Sequence, residues 1–285
     1  MTTARVAAPA KVNLTLHVTG QRDNGYHELD SLVVFTDIAD RLSATRTADM
    51  RLSVSGPFAE GVPTDDSNLV LRAANLLRQI RGVTIGAAIT LEKHLPHAAG
   101  LGGGSADAAA ALNLLAQLWQ VAPLPADAEE IVALGADVPV CLSGPHALHM
   151  QGIGENVSPA PKLPDCAIVL VNPRVPIPTS AAFAGLADKS NPPMTAMPDH
   201  WDFESFIGWL RNQRNDLLPV AEQIAPEVSQ ALAHLSRMPA VKAVGMSGSG
   251  ATCYGITRDL ADARHVARAI QVSQMGWWVA PALLL

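Results

Sequence analysis

The chain has few cysteines, and none of them is placed to form a recognisable site. Only three occur among 285 residues, at Cys141, Cys166 and Cys253. They form no CxxC pair, which argues against a zinc knuckle and against a disulfide framework. We therefore expect three buried, reduced thiols.

Charge and long apolar runs are also scarce. Only 16% of the residues are charged and the formal net charge is −6, so a broad basic surface for nucleic acid is not expected. A small basic pocket for a phosphorylated ligand stays compatible with this composition. No run of 18 apolar residues occurs, and residues 1–9 lack the apolar core of a signal peptide. These features predict a cytoplasmic protein without a membrane partner.

Three common site motifs are missing. The histidines His94, His97, His146 and His149 show no HxxxH or HExxH spacing, so no protein metal site is predicted. A dinucleotide-binding GxGxxG would require glycine at position 105, where the chain has Ser105. No Gly-Lys pair occurs anywhere, which excludes a Walker phosphate loop.

Strand and helix patterns alternate along the chain. Alternating apolar and polar residues predict a first strand at 12–18, followed by a polar loop that ends in an Asn-Gly turn. A helix with a 3.6-residue period is predicted to begin near Asp66 or Ser67, either of which is a good N-cap. Other predicted strands lie at 31–35, 52–54, 85–91, 167–171, 243–246 and 253–256, and other helices at 222–236 and 260–271. The mixture indicates an α+β protein.

The most informative segment is glycine-rich and spans residues 95–107. Glycines let the backbone approach a ligand closely, and the helix predicted behind them adds partial positive charge at its N-terminus. Ser105 is the predicted N-cap of this helix, and Asp107 complements its positive end. From the residues alone, two interpretations stay open: a loop that cradles a polyphosphate, or a tight turn without a ligand.

Three blocks of the chain are informative together: residues 10–14, residues 96–107 and residues 245–251. They resemble the signatures of the GHMP kinases, a family that includes galactokinase and homoserine, mevalonate and phosphomevalonate kinases. The resemblance favours the phosphate-binding interpretation and implies ATP as the donor. It also implies the fold, a ribosomal S5 domain 2-like N-terminal domain joined to a ferredoxin-like C-terminal domain. We place the ATP-binding and catalytic domain at 1–160 and the substrate-binding domain at 161–285.

Other segments resemble one branch of this family. They are residues 20–29, 134–139 and 215–217, together with Pro178-Thr179 and Phe183. The resemblance implies a small-molecule substrate with a cytidine diphosphate moiety. The implied reaction moves the γ-phosphoryl of ATP to the 2-hydroxyl of 4-diphosphocytidyl-2-C-methyl-D-erythritol, in non-mevalonate isoprenoid synthesis. The alternative is another GHMP kinase, acting on homoserine, mevalonate or a sugar.

The resemblance also implies two catalytic residues. Asp137 would accept the substrate proton, and Lys11 would pair with Asp137 and stabilise charge near the accepting hydroxyl. By their local patterns alone, Asp137 would be an aspartate of an Asx turn. Lys11 would be a strand-end lysine with its ammonium in water.

The substrate contacts follow from the same resemblance. Tyr26 and Phe183 would stack on the two faces of the cytosine, in a chain in which only 4% of the residues are aromatic. His27 would read the edge of the base, Asn13 would contact the methylerythritol end, and Thr179 belongs to the same set. An ordinary packed phenylalanine is the alternative for Phe183.

The implied ATP-binding set is larger. Asn68 and Lys93 would lie on the adenine side, although a helix-start asparagine and a strand-end lysine are common in any protein. Residues 247–250 would close the substrate or phosphate pocket, with a tight strand turn as the alternative. Mg²⁺ would arrive with ATP, held mainly by phosphate oxygens and by no named side chain. We expect a monomer or weak homodimer. The residues implied around the phosphates are Pro96, His97, Ala98, Ala99, Gly100, Leu101, Gly102, Gly103, Gly104, Ser105 and Ala106.

Overall fold

The structure, a computed structural model, describes residues 4–285. The chain forms two compact units that are interleaved in sequence. Unit 1 comprises the residues up to Ala10 together with Ile38–His97 and Gly102–Gly144, and unit 2 comprises Lys11–Asp37, Ala98–Leu101 and Pro145–Leu285. The division into contiguous domains at 1–160 and 161–285 stays a prediction.

Unit 1 packs helices on a β-sheet. The second half of β3 (His27–Thr47) pairs antiparallel with β5 (Gly86–Glu92), and β4 (Arg51–Ser55) pairs parallel with β5. β1 (Ala4–Asn13) also pairs with β3. The predicted strands at 52–54 and 85–91 are therefore confirmed, whereas the one predicted at 31–35 is a small part of the much longer β3.

Two helices of unit 1 pack against each other and against this sheet: α1 (Leu69–Arg81) and α2 (Gly103–Trp119). Most of α2 is buried, and its alanines, such as those at 108–111, let neighbouring elements approach closely. Two short helices follow, α3 (Glu129–Leu134) and α4 (Val138–Ser143).

The predicted starts of α1 and α2 are wrong by a few residues. The N-cap of α1 is Asn68, whose side chain accepts the N–H of Val70, and not Asp66 or Ser67. α2 begins directly after Gly102, which has a φ of +61°. Because glycine adopts this left-handed conformation at little cost, the chain turns into the helix before Ser105, which lies in the first turn. Asp107 therefore lies beyond the first turn.

Unit 2 builds hairpins around the first half of β3. β2 (His17–Gln21) pairs antiparallel with β3, β6 (Leu148–Gly152) pairs with β3, and β7 (Asn156–Pro159) pairs with β6. The single strand predicted at 12–18 is wrong, because β1 ends before β2 begins. Between them, the Thr15 hydroxyl accepts the N–H of Leu32 in place of a main-chain carbonyl, which interrupts the ladder.

A second sheet in unit 2 has four antiparallel strands in the order β11-β8-β10-β9. Two helices, α8 and α9, pack against it. In chain order these elements read β-α-β-β-α-β, which confirms the expected ferredoxin-like fold. Their bounds are β8 (Ala167–Asn172), α8 (Glu227–Ser236), β9 (Ala243–Met246), β10 (Cys253–Thr257), α9 (Leu260–Ser273) and β11 (Trp278–Leu283).

The helix predicted at 222–236 is interrupted. Pro226 disfavours helical dihedrals at Ala225, which has an extended backbone, so the chain forms α7 (Leu218–Ile224) and then α8. The patterns did not reveal α5 (Thr179–Ala184) and α6 (Phe203–Arg211). Both are short helices next to proline-rich or polar loops.

Two of the three cysteines are buried thiols, as expected. Burial raises the pKa of Cys166 to about 12 and also raises the pKa of Cys253. Cys141 is only partly buried. Within residues 4–285, no helix combines the length and the apolar character needed to cross a bilayer.

We predict that Tyr254→Phe destabilises the protein by about 1–3 kcal/mol. Tyr254 is 2% exposed and its hydroxyl donates to the Leu14 carbonyl, so the variant removes a buried donor. Urea unfolding measures the loss. Tyr26→Phe is the matched control, because Tyr26 is 56% exposed and its change should stay within about 0.5 kcal/mol. Equal losses in the two variants would contradict the prediction.

Candidate active site

The end of β1 carries two buried polar side chains in unit 2. Lys11 is 3% and Asn13 is 1% exposed, and the Lys11 ammonium donates to Asn13 Oδ1 at 2.8 Å. Asn13 Nδ2 donates to Ser31 Oγ at 2.8 Å, and that hydroxyl donates to the carbonyl of Thr15. The interpretation of Lys11 as a strand-end lysine with its ammonium in water is therefore wrong. A buried hydrogen-bonded network orients the ammonium instead.

The second glycine-rich loop of the chain, residues 246–250, contacts both β1 and the first glycine-rich segment. Ser247 Oγ accepts the N–H of Asn13 at 3.0 Å and donates to the carbonyl of Gly100 at 2.7 Å. The N–H of Lys11 donates to the carbonyl of Leu101 at 3.0 Å. Three segments that are far apart in sequence thus meet in unit 2.

Gly100 leaves no room for a side chain at this meeting point. Its φ is +72°, and a Cβ there would lie 2.1 Å from the carbonyl oxygen of Ser247 and 3.0 Å from that of Gly250. Both the backbone conformation and the space require glycine. The glycine at this position therefore serves close packing of two loops.

Asn215 holds the loop at 246–250 in place. Its side-chain amide donates to the carbonyls of Met246 and Gly248, both at 2.8 Å. At the far end of the loop, the hydroxyls of Ser249 and Thr179 lie 3.0 Å apart. The resemblance had singled out residues 215–217 without a role, and the structure supplies one.

The remaining glycines of the first segment open α2 in unit 1. No side chain caps the N-terminus of this 17-residue helix, so its first N–H groups suit an anion. A Cβ at Gly104 would meet only the side chain of Leu69, at 3.6 Å. Of the neighbouring residues, Pro96 is buried and His97 is exposed, with its ring edge-on to Phe58.

Asp137 lies in the same unit, beside the first turn of α2. It occupies the N-cap position of α4, and the loop before it passes α2 so closely that a Cβ at Gly135 would lie 3.9 Å from Ser105 Oγ. α4 also packs against α2. The structure thus brings the loop of Asp137 next to Ser105, one of the residues predicted to lie around the phosphates. Lys11 belongs to unit 2, and its pairing with Asp137 stays a prediction.

Asn68 and Lys93, predicted for the adenine side, have structural partners in unit 1. Asn68 caps α1, and its Nδ2 donates to the carbonyl of Pro63 at 2.7 Å. The Lys93 ammonium is buried between the carboxylates of Asp40 and Asp107. Contacts of Asn68 and Lys93 with a nucleotide stay predictions.

The turn between β2 and β3 presents two aromatic side chains in unit 2. Tyr26 is 56% exposed at the tip. The next ring, His27, stacks on Phe183 with centroids 4.9 Å apart and an angle of 23° between the planes. His27 Nε2 is buried and has no hydrogen-bond partner among the described residues. Burial, and then the charge of Lys189, lower the pKa of His27, so the imidazole is neutral at pH 7.

Comparisons with known proteins show which family the chain belongs to. Residues 68–146 match the family described as GHMP kinases N terminal domain, and residues 201–274 match GHMP kinases C terminal. The 4-diphosphocytidyl-2-C-methyl-D-erythritol kinase of Cereibacter sphaeroides is 52% identical over 98% of both chains. The chain belongs to the GHMP kinase family. The kinase of the same description from Paramagnetospirillum magneticum is 50% identical over the full length of both chains.

Solved structures of GHMP kinases share the fold. A crystal structure of 4-(cytidine 5'-diphospho)-2C-methyl-D-erythritol kinase matches with a TM-score of 0.77 and 31% identity, over 98% of both chains. Homoserine kinase from Cytophaga hutchinsonii matches with a TM-score of 0.71 and 17% identity, over 98% of this chain and 94% of the other. The second likeness shows the fold alone.

Two polar residues of β3 are absent from the predicted site. Ser31 supports Asn13, and Asp40 supports Lys93. Both are completely buried. The available signal was a polar residue inside a mostly apolar strand, which is costly unless the group has a partner. In this chain both residues lie outside the three blocks that resemble the family signatures.

We predict that Gly100→Ala destabilises the protein by about 2–5 kcal/mol. The left-handed backbone costs about 1–2 kcal/mol and the collision with Ser247 adds about 1–3 kcal/mol. Thermal or urea unfolding measures the change. Gly208→Ala is the control, because nothing lies within 4 Å of its Cβ in α6 and alanine favours a helix. An unchanged stability of Gly100→Ala would contradict the packing described here.

Proposed function

We propose that this protein transfers the γ-phosphoryl of ATP to the 2-hydroxyl of 4-diphosphocytidyl-2-C-methyl-D-erythritol. Its family and its relatives of that description support a kinase with this acceptor. The observation that carries the choice of acceptor is the His27 ring. The ring is neutral and stacks on Phe183, and its buried Nε2 has no hydrogen-bond partner among the described residues.

This pair of rings suits a cytosine. A neutral imidazole has one ring nitrogen that donates and one that accepts, so it can hydrogen-bond to the edge of a base. Tyr26 offers an exposed ring on the same turn, and base–aromatic stacking contributes about 1–3 kcal/mol per base. Because one face of Phe183 already meets His27, the clamp requires the other face for the base. Thr179 and Asn13 are proposed for the rest of the acceptor.

The donor site is proposed at the glycine-rich segment and the start of α2. Uncapped N–H groups at Gly103, Gly104 and Ser105 and the partial positive charge of the helix suit the phosphates of ATP. Asn68 and Lys93 are proposed for its adenine side. ATP supplies the phosphoryl group, and Mg²⁺ would accompany it. We assign Mg²⁺ mainly to the oxygens of these phosphates.

Two residues are proposed for the chemistry at the acceptor hydroxyl. Asp137 accepts the proton of the hydroxyl as the oxygen attacks phosphorus. Lys11, oriented by Asn13, stabilises the negative charge that develops nearby. Since phosphoryl transfer is largely dissociative, the proton can leave late, and positioning contributes most of the rate.

Another GHMP kinase activity is the second candidate. The match to homoserine kinase covers 98% of this chain, and a mevalonate kinase of Methanococcus jannaschii matches with a TM-score of 0.69 and 13% identity. Neither reaction gives a reason for the ring pair at His27 and Phe183. ADP release measured with each acceptor separates the candidates. Turnover with mevalonate or homoserine and none with the cytidyl alcohol would contradict the proposal.

We predict that Asp137→Ala retains ATP binding but loses turnover by about 10²–10⁴-fold, as expected for removal of a general base. Calorimetric titration with a non-hydrolysable ATP analogue and a steady-state kinase assay give the two quantities. The control is Asp127→Ala, a change in the loop before α3 outside the proposed site. Near-wild-type turnover of Asp137→Ala would rule out the proposed base.

We predict that Tyr26→Ala weakens binding of the cytidyl substrate by about 5- to 150-fold, the equivalent of one stacking contact. Affinity for the ATP analogue should stay the same. Tyr26→Phe is the matched variant, since it keeps the ring and loses only the hydroxyl. Equal losses for both ligands, or an equal effect of the phenylalanine variant, would contradict a stacking role.

A further inference from the structure

The Asp40 carboxylate is buried in unit 1, behind the proposed nucleotide site. It lies on β3 and is completely inaccessible to solvent. Its Oδ1 accepts two main-chain N–H groups, from His94 at 2.5 Å and from Leu95 at 2.9 Å. These residues come directly before Pro96, at the start of the first glycine-rich segment. One oxygen of Asp40 therefore sets the backbone that leads into that segment.

The other oxygen reaches the far end of the segment through Lys93. Asp40 Oδ2 accepts the Lys93 ammonium, which also donates to Asp107 Oδ2 at 2.7 Å. Asp107 lies in the second turn of α2, directly behind Gly102–Ala106. Lys93 is 4% and Asp107 is 3% exposed, so water screens neither contact strongly.

A role in stability alone explains this cluster poorly. Two buried carboxylates share one ammonium, and the cost of removing such charges from water commonly equals or exceeds their attraction. Apolar side chains of similar volume would hold the core equally well. The charged groups add geometric specificity, because each charge-assisted hydrogen bond fixes the position of a donor atom relative to an acceptor atom.

We propose that Asp40 is a positioning residue for the ATP site. It holds the backbone at the start of the glycine-rich segment and, through Lys93 and Asp107, the helix that begins near the end of the segment. This inference rests on the proposed function, since it requires that ATP binds at the start of α2. Asp40 does not touch the nucleotide. It sets where the N–H groups of the segment lie.

The charges of the cluster give this role a second signature. Asp107 is faced by two charged groups, Lys93 from the end of β5 and Asp40 from β3. Burial is the main cause that raises the pKa of Asp107 to about 7. The positive charge of Lys93 lowers this pKa, and the negative charge of Asp40 raises it further. Ionised Asp107 leaves the cluster with one excess negative charge, so binding of a polyphosphate should weaken as the pH rises through 7. Without the charge of Asp40, this transition should move to lower pH.

The test is Asp40→Asn in the purified full-length enzyme. Titration calorimetry measures dissociation constants for the Mg²⁺ complex of a non-hydrolysable ATP analogue and for the cytidyl substrate, from pH 5.5 to 8.5. We expect the nucleotide constant to rise about tenfold, the scale of one charge-assisted hydrogen bond, and its pH transition to move to lower pH. The constant for the cytidyl substrate should not change.

The sign of the effect separates positioning from charge. Removing a negative charge near a polyphosphate would by itself tighten binding, so an unchanged or lower nucleotide constant would overturn the proposal. Equal losses for both ligands would also overturn it, since they indicate general damage. Asp37→Asn is the matched control on the same strand, because its exposed carboxylate accepts the N–H of Leu283 and is not part of the cluster.

If Asp40→Asn fails to fold, the same titrations are made with Asp107→Ala. It releases α2 from Lys93, and alanine suits this alanine-rich helix. We expect the same selective loss of nucleotide affinity. The double variant should lose no more affinity than the more affected single variant, because both changes break the same connection between Asp40 and α2 through Lys93. Unchanged nucleotide affinity of Asp107→Ala, or additive losses, would overturn the proposal. A wild-type enzyme that binds the analogue but does not phosphorylate the cytidyl alcohol would contradict the proposed function alone.

Discussion

The hydroxyl of Ser247 joins the segments on which the rest of the candidate site in unit 2 depends. It accepts the N–H of Asn13 and donates to the carbonyl of Gly100, so one small side chain sets the spacing of a strand and two glycine-rich loops. This contact is possible only because Gly100 has no Cβ. Asn215 fixes the loop of Ser247 from behind through two carbonyls. The orientation of Lys11 therefore depends on main-chain contacts between residues far apart in sequence.

Two buried lysines near the motifs have different neighbours within their own units. The Lys11 ammonium donates to the amide oxygen of Asn13, which helps to fix its direction in unit 2. The Lys93 ammonium lies between two carboxylates in unit 1, whose charges offset its own. The first lysine is proposed for the chemistry, and the second belongs to the cluster proposed to order the backbone at the ATP site. Lys11 lies near the end of β1 and Lys93 directly follows β5, so the local sequence does not distinguish the two strand-end lysines.

Errors in the predicted elements share a physical origin. Ser105 and Ser67 have the side chains of good N-caps, yet α2 begins after Gly102 and α1 after Asn68. At Gly102 the backbone can take a left-handed turn that serine would adopt only at a cost. The strand predicted through Thr15 failed because its hydroxyl replaces a main-chain acceptor. In each case a tertiary or backbone preference outweighed a local propensity.

The sequence by itself determined the family, the α+β class and most of the strands. Motif spacing and apolar periodicity can be read from the sequence without a three-dimensional structure. It also indicated Lys11, Asn13, Tyr26, His27 and Asp137 as site candidates. Only the tertiary structure decided which residues support the motifs and site candidates. Ser31 contacts Asn13, Asp40 contacts Lys93, Asn215 contacts the second glycine-rich loop, and Phe183 stacks on His27. These partners are tens to hundreds of residues apart, and a buried polar residue reveals that it needs a partner without revealing which one.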